Sequence, residues 1–292
     1  LLVGDAHNVS LPTAKPFLLL GPTAIHGYGI VCRYPDRVQA IHNTNIKDAH
    51  RLGWPYIELE DVDGIDSLLR DYTGTIIYAH AVCDVRRCEQ NPEWARKKNI
   101  FNLTQVLTSK NDDARFVYLS TDHVFGEDGV YDEASSPCPI SEYGRTRIDA
   151  EAVASEYVNT VIIRVPLALG PSVSGRIGHL DWIRYRHTKG LPITIIEDEA
   201  RSAVSAWDVA ERVISIAESS LTGIRHIAAR SVSRIQLADA VFAHHGLSAD
   251  YSLATRADQP APHLGRITME TRYDDAWSQP ILSAVDTFKP AQ

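Results

Sequence analysis

Short apolar runs alternate with longer amphipathic stretches through the first two-thirds of the chain. The runs are Pro16–Leu20, Val38–His42, Tyr56–Leu59, Thr75–Ala79, Ala114–Leu119 and Thr160–Arg164. They are too short for helices and mostly apolar on both alternating positions, so each reads as a strand buried on two faces. Between them, Tyr28–Tyr34, Gly64–Asp71, Pro92–Ser109 and Tyr143–Glu156 carry helical spacing. Pro92 suits a first helical position, where its missing N–H costs nothing, and Glu93 adds favourable charge there. Strand–helix alternation at this spacing predicts an α/β protein, a doubly wound parallel sheet covered on both sides. Beyond about residue 165 the pattern loosens. Val209–Ala217 and Leu237–His244 read as amphipathic helices, and Ile193–Ile196 and Gly223–Ile227 as isolated short strands. The division this predicts is a sheet domain over residues 1–165, its core starting near residue 16, and a smaller α+β lobe over 166–292 with segments returning to the sheet. Open sheets of this kind bind ligands beyond the carboxyl ends of their strands, so the cleft is expected there.

Composition narrows the class. The 292 residues, 44% of them hydrophobic, are enough to bury a sizeable core. A net charge of −8 opposes a nucleic-acid or membrane-surface partner. The densest basic pairs, Arg86-Arg87 and Lys97-Lys98, read as solvated helix faces. No apolar run approaches the roughly 20 residues of a membrane helix. Residues 1–15 lack the basic start and apolar stretch of a secretory signal, which makes the cytoplasm the expected compartment. Cys32, Cys83, Cys88 and Cys138 match no zinc or disulfide spacing, and no metal site is expected.

The first strand runs into Gly21-Pro22-Thr23-Ala24-Ile25-His26-Gly27. A glycine turn between strand and helix lets backbone approach a pyrophosphate, which the helix N-terminus then faces. After the second strand stands Asn43-Thr44-Asn45, with Lys47 and Arg51 beyond. The acidic residue that would take ribose hydroxyls in an NAD-selective site is missing, which favours NADP(H) over NAD(H).

The most informative stretch is Ser120-Thr121-Asp122-His123-Val124-Phe125, followed by Tyr131-Asp132-Glu133 and Tyr143-Gly144-Arg145-Thr146-Arg147. Here the chain resembles the extended short-chain dehydrogenase/reductases, and more narrowly the dTDP-4-dehydrorhamnose reductase, or RmlD-like, family. That family also contains sugar-nucleotide-binding relatives such as the regulatory β subunit of methionine adenosyltransferase. Ala79-His80-Ala81 with Asp84, Cys88-Glu89 and Asn99, and later Asp198–Ser202 with Trp207–Ala210, match it in order. The resemblance implies a Rossmann-type sheet and hydride transfer between a nicotinamide and a sugar carbonyl. By position Tyr143 would donate the proton, Thr121 would orient the carbonyl with Ser120 beside it, and Asn99 would fix the active-site helix or a relay water. It implies cofactor contacts from Gly21, Thr23, Ala24, Ile25 and Gly27 at the phosphates. Further contacts come from Asn43, Glu58 and Leu59 at the adenosine, and from Ala79, His80, Ala81, Tyr143 and Arg147 nearer the nicotinamide. His123, Val124, Arg201 and Arg266 would meet a sugar-nucleotide substrate, and a homodimer is the family's expected assembly.

Two positions depart from the family. Ala24 stands where the middle glycine of the turn belongs, and Arg147 stands where a lysine holds the ribose and lowers the tyrosine pKa. The principal expectation is an NADP(H)-preferring reductase of a keto group on a nucleotide-linked deoxysugar or related metabolite. Two alternatives remain: a regulatory protein that binds without turnover, and an epimerase or dehydratase of the same superfamily.

Overall fold

The computed structural model describes residues 15–44, 46–274 and 281. Asn45 of the turn after the second strand lies outside them, as do the ends of both expected domains. Six apolar runs form one parallel sheet: β1 (Phe17–Leu20), β2 (Val38–Ile41), β3 (Thr75–Tyr78), β4 (Arg115–Thr121), β6 (Thr160–Val165) and β10 (Gly223–His226). Their order is β2-β1-β3-β4-β6-β10, every neighbour parallel. The strands alternate residue by residue between two cores. Leu19, Ile77, Val117 and Ile163 meet α1 (Ile25–Arg33) and α9 (Ala206–Glu218) on one side. Leu18, Ile76, Phe116 and Ile162 meet α3 (Val62–Leu69), α6 (Asn102–Ser109) and α7 (Glu142–Ser155) on the other. This is the expected doubly wound sheet, buried on both faces.

The chain moves outward from β1 to β2 and then crosses back to lay β3 on the far side of β1. The carboxyl ends of β1 and β3 therefore flank a topological switch point, where such sheets hold ligands.

Within the sheet domain, three sequence readings need correction. Tyr56–Leu59 is not a strand: only a bridge joins Tyr56 to His42. Pro55 has no N–H to extend a ladder, and the stretch runs into a turn at Leu59-Glu60. Gly223–Ile227 is not isolated, because β10 closes the edge of the main sheet against β6. Pro92–Ser109 is not one α-helix either. It is α5 (Pro92–Arg96), a π-helical turn at Lys97–Phe101, and α6. Sequence reading also passed over α2 (Ile46–Leu52) and α8 (Gly178–Thr188), while the helix face expected at Arg86-Arg87 falls in α4 (Val85–Gln90).

Most of the later elements build a lobe over the carboxyl edge. β5 (Gly129–Tyr131), β7 (Leu167–Leu169), β9 (Ala200–Ser205), β11 (Ser231–Ser233) and β13 (Arg266–Met269) form a second sheet. β8 (Thr194–Ile196), expected at Ile193–Ile196 as an isolated strand, instead pairs with β12 (Ser252–Ala254). α8 and α10 (Arg234–His244) pack on them around Leu180, Ile183, Leu237, Val241 and Phe242. No helix among the described residues is long and apolar enough to cross a membrane.

Candidate active site

The turn after β1 is shaped by Gly21 at φ +88°. A side chain is excluded there by the backbone angle and by space, since a Cβ would stand 2.7 Å from the carbonyl carbon of Ala79. Gly27 packs against the Gly21 carbonyl oxygen in the same way. Ala24 is the N-cap of α1 at φ −62°, ψ 150°, an extended conformation open to any residue, so the turn itself accepts the missing glycine. No side chain caps α1. Its first N–H groups are thus left for an anion. Thr23, Ala24 and Ile25 are half-buried around it.

A row of buried polar atoms without hydrogen-bond partners among the described residues follows the carboxyl edge. They are both amide atoms of Asn43 beyond β2, Nε2 of His80 beyond β3, and Nε and one terminal nitrogen of Arg147 on α7. Unmet groups of this kind in a folded interior carry a cost, and a polar ligand relieves it. His26, which sequence reading did not single out, lies close to this row but is not part of it, because its ring bonds the Ala79 backbone. Its only sequence signal was its place in the first turn of α1. Burial, with Arg147 adding to it, holds His26 down to about 4. Burial, then Lys98 and Arg147, does the same to His80. Both rings are therefore neutral beside the guanidinium. Ala79 is tied to β1 through its N–H to Leu20 (2.8 Å), and Ala81 is half-buried. Glu58 is exposed and accepts from Tyr56 Oη (3.4 Å). The Leu59 side chain is spent in the core, which leaves only its backbone to border an adenosine.

Tyr143 opens α7, whose N-cap Ser141 accepts from Gly144 N–H (3.0 Å). The π-helical turn buries Asn99 at the heart of the site, a common use of such turns. Asn99 accepts from Val82 N–H (2.8 Å) and donates to Val82 O (3.2 Å) and Thr146 Oγ1 (3.0 Å). It thereby clamps the loop after β3 to α7. The Tyr143 ring packs in one cluster with Cys88 and Ala95, and its hydroxyl bonds Thr121. Arg147 donates to the Leu119 carbonyl and lies 4.8 Å over the Tyr118 ring. Burial pushes Tyr143 up to about 12, against the opposing pull of Arg147 and the Thr121 bond. Desolvation wins over the nearby cation.

Ser120 does not share this site. Its hydroxyl donates to Glu151 (2.5 Å), which forms a buried ion pair with Arg164 (2.7 Å). Adjacent strand residues point to opposite faces, so Thr121 and Ser120 cannot both serve Tyr143.

Two cavities continue from the site into the lobe. The inner one, about 300 Å³, is lined by His123, Glu199, Arg201 and the Pro260–Leu264 segment. The outer one, about 780 Å³, contains Trp182, Arg186 and His179. Arg86, Arg234, Gln259 and His263 border both. Arg201 was expected as a free clamp for substrate. Instead it is bidentate with buried Asp122 (2.6 and 2.9 Å), fastening β9 to the turn after β4. Val124 is sealed in the core with Phe125 and Leu264. Arg266 is exposed, answers Asp128 (3.8 Å), and lines neither cavity. Of the four expected substrate residues, His123 reaches the inner cavity unpaired, with its ring edge-on to Tyr143 at 5.1 Å. Sequence reading missed Arg86, Arg234 and His263, which come from three separate loops and helices.

Among the described residues no cluster of His, Cys, Asp and Glu is arranged to hold a metal ion. Cys83 is exposed and Cys88 buried, both as free thiols.

The chain is 30% identical over 183 residues to the probable low-salt glycan biosynthesis reductase Agl14 of Haloferax volcanii, covering 60% of this chain and 61% of that protein. It is 26% identical over 170 residues to methionine adenosyltransferase 2 subunit beta of Xenopus tropicalis, covering 56% and 49%. The matches thus span about half to three-fifths of these curated relatives. A crystal structure of a hypothetical dTDP-4-dehydrorhamnose reductase from Sulfolobus tokodaii superposes with TM-score 0.77 at 21% identity, covering 94% of this chain and 99% of that one. The dTDP-4-dehydrorhamnose reductase of Bacillus anthracis in complex with NADP gives 0.75 at 18%, covering 88% and 90%. These structures share the fold. A family model described as the RmlD substrate binding domain matches residues 35–269, and the chain belongs to that family.

Proposed function

We propose that the chain is an NADP(H)-preferring reductase of a keto group on a nucleotide-linked sugar. The observation that carries this reading is the row of unmet polar atoms on Asn43, His80 and Arg147 between an uncapped helix N-terminus and a buried tyrosine. It fits a dinucleotide laid across the switch point: phosphates at Gly21–Gly27, adenosine toward Asn43, nicotinamide ribose at Arg147. Asn43 and Thr44 offer no carboxylate to ribose hydroxyls, which favours the phosphorylated cofactor over NAD(H). The nicotinamide, when bound, supplies the hydride.

The remaining chemistry belongs to the protein. Thr121 holds the substrate carbonyl and the Tyr143 hydroxyl in one geometry. Tyr143 gives its proton to the carbonyl oxygen as charge develops there. Arg147 stabilises the phenolate left behind. The raised pKa of Tyr143 favours this direction. The phenol is fully loaded at neutral pH, whereas an epimerase or dehydratase that begins by oxidising its substrate needs the phenolate as base.

The substrate class follows from charge. In a chain of net charge −8, the two cavities are lined by four arginines; Asp122 takes Arg201 and Glu199 pairs with Arg234 at 3.2 Å, which leaves Arg86 and Arg186 with no carboxylate against them among the described residues. That balance suits a diphosphate. The Haloferax relative is named a reductase, and the Bacillus anthracis and Sulfolobus structures are named dTDP-4-dehydrorhamnose reductases, which supports the same class. NADPH consumption with dTDP-4-dehydrorhamnose tests it, with Tyr143→Phe abolishing turnover while sparing NADPH binding. A second reading, binding without turnover, draws on Arg147, which commits one terminal nitrogen to the Leu119 carbonyl. Tight NADPH binding without consumption on any keto sugar nucleotide would select it.

A further inference from the structure

We infer that His123 returns to Tyr143 the proton spent in each reduction, acting as a shuttle between the phenol and water of the inner cavity. The inference rests on Tyr143 being the proton donor. Each turnover leaves a tyrosinate that must recover a proton from water. Tyr143 is walled in by Cys88 and Ala95 with Val82, Val85 and Trp94 around them. Its charged neighbour, Arg147, has no proton to give at working pH. Thr121, bonded to the phenol, is backed by Asp122 at 3.3 Å. Asp122 is a fully buried carboxylate locked into the bidentate pair with Arg201. That route meets the inner cavity only at Arg201, a guanidinium with no proton to give at working pH.

His123 offers another route. Its ring meets the Tyr143 ring edge-on and also lines the inner cavity, while its Nδ1 is buried without a partner. The groups facing it are Asp122 beside it in the chain, Tyr143 of α7, Glu199 and Arg201 at β9, and Arg234 of α10. Burial, then Arg201, holds it down to about 3, with Arg234 also lowering it and Asp122 and Glu199 opposing. The imidazole is therefore neutral, with one N–H and one lone pair. It can pass its N–H proton to the tyrosinate, directly or across one water, while its other nitrogen takes a proton from cavity water. One N–H breaks, the phenol O–H forms, a new N–H forms, and the net proton comes from solvent. Exchange with cavity water resets the ring. No imidazolium has to accumulate, so the depressed basicity does not block the step.

The test uses His123→Gln and His123→Ala with NADPH and dTDP-4-dehydrorhamnose. Tyr143 starts protonated, so at saturating substrate the first turnover in stopped flow should be slowed far less than the later ones. Steady-state turnover should fall at least tenfold, acquire a larger solvent isotope effect, and recover in His123→Ala when imidazole is added. A first turnover slowed as much as later ones would mean that His123 only packs or positions, and the proposal falls. Unchanged steady-state turnover overturns it equally. Should His123→Ala not fold, His123→Gln carries the same comparison of first and later turnovers. Tyr143→Phe separates the two levels. If it is inactive while the His123 variants behave normally, only the shuttle is wrong. If it is active, or the wild-type protein consumes no NADPH, the reading beneath falls too.

Discussion

Tyr143 should hold its proton to far higher pH than an ordinary tyrosine, and the two directions of the reaction should answer pH oppositely. Burial raises the phenol from 10 to about 12, with Arg147 pulling against it. Two units correspond to about 3 kcal/mol against the phenolate. At pH 8 only about one molecule in ten thousand then carries the phenolate. Reduction needs the phenol and should be flat in kcat/KM from about pH 7 to 10. The reverse oxidation needs the phenolate and should rise roughly tenfold per pH unit over the same range. Initial rates of NADPH loss with the keto sugar nucleotide, and of NADPH formation with the corresponding alcohol, measure both limbs. Arg147→Gln removes the cation that opposes burial. It should leave the reductive limb flat while lowering the oxidative limb throughout. A reductive rate falling tenfold per unit from a midpoint between 7 and 9 would refute the argument, because a buried phenol near 12 cannot titrate there.

Arg164→Met should cost about 3–5 kcal/mol by leaving Glu151 buried with only Ser120, and pairing it with Glu151→Leu should recover most of the loss. A double variant as unstable as the single one by urea unfolding would contradict this. Stability should also fall in acid. His26 and His80 are lowered to about 4 and His123 to about 3 from 6.5, so their contribution is complete above pH 6.5 and is lost as pH falls toward 4. Each adds about 1.4 kcal/mol per pH unit in that window, and an unfolding free energy that changes by less than two protons' worth between pH 6 and 5 would count against the three neutral rings. Gly21→Ala forces a side chain into φ +88° against Ala79 and should weaken NADPH binding more than tenfold by calorimetry, whereas unaltered affinity would show that the turn can yield. Asn99→Leu strands both polar groups of Val82 and should lower kcat by loosening Tyr143, which comparison with Asn99→Asp can check.

What the sequence conveyed was decided by local physics. Short apolar runs between amphipathic stretches force strands buried on two faces, and the doubly wound sheet follows. Where the reading failed, a longer-range contact had intervened. Tyr56–Leu59 has strand composition, but the proline before it and the turn after it leave a single bridge to His42. β10 looks isolated because its partner, β6, lies some sixty residues earlier. Resemblance pointed to Tyr143, Thr121 and Asn99, which the structure brings together because a π-helical turn and a helix N-terminus converge there. The same resemblance named Ser120, Val124, Arg201 and Arg266, and here burial and pairing decide. Strand alternation turns Ser120 to Glu151, the core takes Val124, Asp122 takes Arg201, and Arg266 faces solvent beside Asp128. An arginine in a sequence is an available charge only when no carboxylate folds against it, and that is a fact of tertiary structure. Arg86, unremarkable in its own segment, faces the cavities for the same reason, whereas Arg234 reaches them already paired with Glu199 at 3.2 Å. Ala24 and Arg147, the two departures from the family pattern, now differ in weight. The turn accommodates Ala24 without strain, so the choice between turnover and binding rests on whether a guanidinium held by the Leu119 carbonyl can still serve a ribose and a phenolate.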